Sequence, residues 1–473
     1  MLLNAVMGLP IHQAEVDFVI PNLREDLALY VDPFLFYKSS DKRFQAVHTT
    51  LRAFFDRAVG YVKQGTPTLA HRMMNFPEVR ATMLGLSSGD HHGRGLGSVR
   101  GRVIYDEIVA NKDIEEHGIS HLAQMQLLIM NVGFDMVSDM CTNIAKPFFV
   151  QYTQDQCRLH AIPVEHGVCL EHVFDWEEDD WDDVIADLPV NPLNAQPILL
   201  VPKAVVRRFE EIDYKDFWRT TYRYILRDIE VQKSLQAIGR EPKITWKEID
   251  EKYRFCKSTV VEVLHEQPDL MRQYLKTKED TTAETAAPVD LKTVDGTDRG
   301  ATPVEDLVAE LQGIAPGNAQ AKAYERLMVR ILTLLFSPPL MDPREQVRSA
   351  DDREIKDITF HNAATSGFWH DIKQNHGSVS VPVELKNMAD IGNPEVFQIA
   401  ARLNDIQGYF GLLIARGKDA KDTERVLRRM YLERKFILIL DDADIERMLD
   451  NHKNGLSPVM HITRIYRDLK EAA

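Results

Sequence analysis

The chain has 473 residues, 44% hydrophobic and 27% charged, which excludes a wholly disordered, collagen-like or coiled-coil protein and leaves room for two or three domains. Lys and Arg number 57 against 72 Asp and Glu, a net charge of −15, which is a poor balance for coating nucleic acid or an anionic membrane by charge alone. Four cysteines in 473 residues exclude a disulfide framework, and Cys141, Cys157, Cys169 and Cys256 form no C-x2-4-C pair from which a structural zinc site could be read.

The apolar start, Met1 to Pro10, lacks a basic region, and no apolar run approaches the roughly 20 residues that span a bilayer. Both point to a cytoplasmic chain without a signal peptide. Residues 1–275 read as mixed α/β with many helices. From Asp41 to Lys63, Phe44, Val47, Leu51, Phe54, Phe55 and Val59 recur at the spacing of one buried helical stripe. Glu210–Gln236 and Ser258–Lys276 also read as helices, and Pro197–Val201 (PILLV) as a short buried strand.

Three features of this part could carry chemistry, and each has a plainer reading that is favoured. Gly89–Gly97, with Arg100, Gly101 and Arg102 behind it, could cradle a phosphate, yet it matches neither G-x-G-x-x-G nor the P-loop and reads more simply as a tight loop. Asp135, Asp139 and Asn143, four apart, line one helical face that reads as a solvated polar stripe. Asp175–Asp183, the densest acidic run, reads as a hairpin tip or solvated loop. A domain 1–275 of this kind would sense, gate or oligomerise.

Residues 276–318 are expected to link two domains. From Lys278 to Asn318 aromatic residues are absent and Thr, Ala, Asp, Gly and Pro dominate, with a short helix at Pro303–Gly313. Charge changes across this segment. From Ala321 onward there are 23 basic and 23 acidic residues, so the whole surplus of −15 belongs to positions 1–320.

The third segment, 319–473, has the clearest pattern. Ala319–Phe336 is an amphipathic helix, Glu354–Phe360 and Val379–Lys386 alternate as strands, and Gly367–Gln374 is a short helix between them. Pro394–Leu403 (helix), Gly408–Ala415 (strand), Asp422–Arg434 (helix), Phe436–Leu440 (strand) and Asp444–Asn451 (helix) follow. This order predicts a compact three-layer α/β domain.

Residues two apart in a strand share a face, so Glu384 and Lys386 project together while Val383 and Leu385 project oppositely. If the strand of Asp357 pairs in register, Asp357 and Glu384 bring two carboxylates to one point beside an ammonium. Such a donor set suits Mg2+ or Mn2+ and the hydrolysis of a phosphodiester. The pattern [DE]-x-K alone decides nothing, since it occurs ten times in the chain. Only the copy at Glu384 lies in a hydrophobic strand, after an acid-bearing strand and before a helix. Asp352 and Glu354 compete with Asp357, because a long insertion separates it from Glu384. Glu384 and Lys386 could equally form an ordinary ion pair at a sheet edge. Pro382 removes one backbone donor, so its strand is expected at an edge or beside a bulge.

On these residues, Ala319 to Asn451 resembles the PD-(D/E)xK, or restriction-endonuclease-like, superfamily of metal-dependent nucleases. The resemblance implies that Asp357 and Glu384 bind the metal and that Lys386 is the catalytic lysine. It also implies that Glu325 is the acid of the first core helix, and that Gln398 is the accessory polar residue of the following helix. Asn387 completes a VELKN sequence like those of restriction and phage-defence nucleases. The expectation is a Mg2+- (or Mn2+-) dependent endonuclease acting on DNA, with a homo-oligomer or a companion defence subunit as further partners and no membrane. Its rivals are an inactive binding protein on the same fold, an RNase, or a nucleotide-activated effector. Arg425, Arg428, Arg429, Arg434 and Lys435 either contact phosphates or form a solvated face.

Overall fold

The protein is described by a computed structural model covering residues 1–85, 96–208, 212–238, 243–280, 300–345, 357–389, 391–418 and 420–472. It is a mixed α/β protein whose helix-rich N-terminal part precedes a five-stranded sheet.

Helix α1 (Lys42–Lys63) is capped by Asp41, whose carboxylate accepts from the Arg43 amide, and the predicted stripe from Phe44 to Val59 is buried. Helices α2 (Phe134–Ile144) and α3 (Lys146–His160) pack in the same part. The acidic run forms the tip of a hairpin, β1 (Glu165–Asp175) and β2 (Asp180–Leu188). There Asp179 takes both Arg57 and Tyr61, and Asp180 pairs with Arg72 at 2.7 Å.

Several expected elements differ. PILLV is buried but joins no sheet, because its backbone partners lie on separate segments: Ile198 donates to Pro189, Leu199 to Ala81, Leu200 to Thr153 Oγ1, and Val201 accepts from Val19. The helix expected over Glu210–Gln236 starts at Tyr214, capped by Asp213, passes through a π turn at Trp218–Tyr222 and continues as α4 (Arg223–Ile238). Residues 209–211 lie outside the described residues. The helix expected over Ser258–Lys276 is two helices, α5 (Lys257–Glu266) and α6 (Pro268–Asp280). Proline lacks an amide donor and excludes the preceding residue from helical backbone, and Gln267 accordingly sits at φ −134° and ψ 70°.

The expected linker helix is present as α7 (Val304–Gly313), and Leu307 and Leu311 are fully buried in the core of the sheet. Then come α8 (Ala321–Phe336), β3 (Leu340–Glu345), β4 (Asp357–Asn362), α9 (Gly367–His376), β5 (Ser380–Lys386), α10 (Asn393–Ala400), β6 (Phe410–Ala415), α11 (Ala420–Leu432), β7 (Phe436–Leu440), α12 (Asp442–Lys453) and α13 (Val459–Ala472). The sheet order follows the chain, β3-β4-β5-β6-β7, antiparallel across the first three strands and parallel across the last three. Pro382 lies in the central strand, contrary to the edge position expected, and β4 pairs with β5 through it without a register shift.

Helices cover both faces. Ile358, Phe360, Val383, Leu385, Leu412 and Leu438 share one core with α7, α8 and α12, while Leu413, Ala415 and Ile437 share another with α10 and α11. Strand β3 and helix α13 were not expected. Strand β3 bulges at Asp342, which sits at φ 51° with a register shift from Met341 to Arg344.

Charged pairs join the two parts. Arg330 of α8 holds Glu15 at 2.8 Å, Glu310 at 3.0 Å and Thr302 at 3.1 Å, and Glu15 is fully buried. Arg43 pairs with Asp342 (3.0 Å) and Asp155 (3.2 Å), Arg344 pairs with Asp41, and Ser40 meets His361 at 2.8 Å.

Asp17 lies buried against Asp342, accepting from its amide and from Tyr152. Burial and the Asp342 charge push the Asp17 carboxyl up to about 7, with Lys203 pulling against them. Burial likewise raises Asp342 to about 6, against the pull of Arg344 and Arg43. A carboxyl raised on folding holds its proton more tightly in the folded state, so stability falls as pH rises from about 4 towards 7. An Asp17→Asn variant, which cannot ionise, is expected to gain on wild type in melting temperature between pH 5 and pH 8. Parallel melting curves across that range would contradict this.

Candidate functional site

Strand β5 supplies the centre of the site. Its odd residues, Val381, Val383 and Leu385, are drawn into the core with α8, which leaves Glu384 and Lys386 on the face covered by α10 and α11. Asp357 stands directly opposite Glu384 in the antiparallel ladder, and Glu384 lies beside Leu413 on the parallel side. The register required for two acids at one point is therefore the register found. Asp352 and Glu354 lie outside the described residues.

Glu384 is 1% exposed and carries two cations: Lys386 Nζ is 2.7 Å from Oε1, and Arg402 Nη2 is 2.6 Å from Oε2. Arg402 follows the end of α10, where the Ala401 and Arg402 amides bond back to Phe397 and Ile399. Asn387 fixes the end of β5: its amide donates to the carbonyls of Ala315 and Gly317 at 2.8 Å, and Arg416 donates to its side-chain oxygen at 3.2 Å. Arg416 is held in turn by Asp442 at 2.6 Å. Asn387 thus aligns the site strand with the start of α8.

Glu325 and Gln398 lie on helices that flank the sheet. Glu325 is half-buried on α8, the helix that shares a core with Val383 and Leu385 on the opposite face of the sheet from Glu384. Gln398 is exposed on α10, whose Val396 and Ile399 turn to the sheet. Arg402, one helical turn beyond Gln398, is the residue that reaches Glu384. Arg425, Arg428, Arg429 and Arg434 are exposed, and Arg429 pairs with Glu433 at 3.3 Å.

In the N-terminal part, residues 89–95 of the glycine-rich loop lie outside the described residues. Gly101 lies within the helix Leu96–Ala110, where a Cβ would fall 2.0 Å from the Met74 carbonyl oxygen, so close helix packing accounts for that glycine. Asp139 accepts from the Val79 amide, and Asn143 binds the Pro77 carbonyl and Lys146, so part of the expected solvated stripe ties α2 to its neighbours.

Carboxylate oxygens are hard donors that fit Mg2+ or Mn2+, and Glu384, with Asp357 at the ladder position opposite it, could supply one provided that it exchanges one of its cations. Among the described residues, no three His, Cys, Asp or Glu side chains cluster as a metal site, and none of the described helices is long and apolar enough to cross a membrane.

The class defined by this architecture is a mixed α/β protein whose central strand carries a buried Glu384 paired with Lys386 and with Arg402 from the turn after α10. Residues 8–213, which precede the sheet, match a family described as a domain of unknown function (DUF8370). No curated protein and no solved structure matches the chain.

Proposed function

We propose that the protein is a metal-dependent endonuclease of the PD-(D/E)xK kind that hydrolyses DNA phosphodiester bonds in restriction or anti-phage defence. The observation that carries this reading is the direct pairing of Asp357 with Glu384, with Lys386 two residues on and bonded to Glu384. Asp357 and Glu384 would hold Mg2+ or Mn2+, which supplies a Lewis acid for the phosphoryl oxygen and lowers the pKa of an attacking water. Lys386 Nζ, anchored on Glu384 Oε1, would donate hydrogen bonds to a non-bridging phosphate oxygen as negative charge builds there. The N-terminal part, docked on the edge strand β3 through Asp41 and Arg43, borders the same face of the sheet and is suited to control access to it.

A second reading, an inactive binding protein on this fold, draws support from one observation: both Glu384 oxygens are already matched by cations. Full-length protein offered duplex DNA, single-stranded DNA and RNA in parallel, with Mg2+, Mn2+ or EDTA, separates the readings. Metal-dependent cleavage of DNA is expected. Cleavage of RNA alone would make the enzyme an RNase, and no cleavage of any substrate with either metal would favour the binding protein.

A further inference from the structure

Glu384 is 1% exposed and Arg402 8% exposed, and they meet at 2.6 Å while Lys386 occupies the other carboxylate oxygen. One carboxylate thus carries two cations in a place where water screens little. A divalent cation approaching Glu384 must displace one of them or bear its repulsion. Lys386 is fixed by the strand, two residues along on the same face. Arg402 stands on the turn that follows α10, outside the sheet, and reaches Glu384 through a long side chain. Its guanidinium fork also suits a phosphate, whose two oxygens it can hold together.

We infer that Arg402 is a gating residue for the Glu384 site. It holds Glu384 Oε2 while no metal is bound, yields that oxygen to the cation, and turns its guanidinium to a phosphate of the bound strand. The acid then keeps a cation partner at each stage, and metal and nucleic acid are taken up together. This inference rests on the metal-dependent reading above.

Mn2+ binding to the full-length chain, measured by titration calorimetry, tests the gate. Arg402→Ala is expected to bind Mn2+ about tenfold more tightly than wild type, since the competing cation is gone. A merely structural role would leave that affinity unchanged or weaken it. Arg402→Gln, which keeps a hydrogen-bond donor for Glu384 without the charge, should show the same direction if the alanine variant folds poorly. Mn2+ should also raise the melting temperature of either variant more than that of wild type. Equal or weaker Mn2+ affinity in the variants, with wild type still cleaving, overturns the gate alone. Absence of Mn2+ binding by wild type and both variants overturns the gate and the metal site together.

Discussion

Lys386→Ala is expected to lower metal-dependent cleavage by about 100- to 1,000-fold, the usual cost of removing one aimed donor from a reacting anion. The ammonium is largely buried, rests on Glu384 Oε1 at 2.7 Å, and is directed by the strand to the side of the sheet where Asp357 opposes Glu384. Its removal leaves Glu384 paired with Arg402, so the fold should persist. The informative outcome is therefore a loss of rate with the melting temperature held within a few degrees. Cleavage by the variant at the wild-type rate, with unchanged metal dependence, would remove Lys386 from the chemistry.

The largest expected effect on stability lies elsewhere. Arg330→Met should destabilise the chain by about 3–5 kcal/mol, because removing one member of a buried pair leaves the other charge uncompensated. Arg330 is 4% exposed and Glu15 fully buried, and Glu15 also accepts from the Thr302 amide at 2.6 Å, so little water can replace the lost guanidinium. Glu310 is more exposed and can hydrate itself. Chemical denaturation of wild type, Arg330→Met and the double variant Arg330→Met/Glu15→Leu measures this. The double variant should recover much of the loss, since it buries no orphaned charge. An Arg330→Met protein as stable as wild type would show that the pair adds nothing to folding.

Much of the sheet was legible because its strands are short apolar runs bounded by turns: FILIL occupies the expected residues, and GYFGLLIA lost only its first two. The register at Asp357 and Glu384 could be posed from the sequence but not decided, since it depends on which strands become neighbours. Strand β3 was illegible because Asp342 and Pro343 lack strand propensity, and the strand is held there by charges from residues far away in sequence. Arg402 was hidden for a related reason. Helical periodicity ranks faces, whereas Arg402 reaches Glu384 by standing just past the helix end. Glu325 and Gln398 came from resemblance alone; Glu325 is half-buried on α8, and Gln398 is exposed on α10.

The charged junction has an evolutionary side. Counted by sequence, the C-terminal part is electrically self-sufficient. Counted by partners, it is not: Arg330, Asp342 and Arg344 meet Glu15, Arg43 and Asp41. Recombination that spliced this sheet onto an unrelated N-terminal part would leave those ions, several of them buried, without their partners. Descent is thus expected to carry the two parts together. Where they do separate, Glu15, Asp41 and Arg43 should change in the same lineages as the residues that face them.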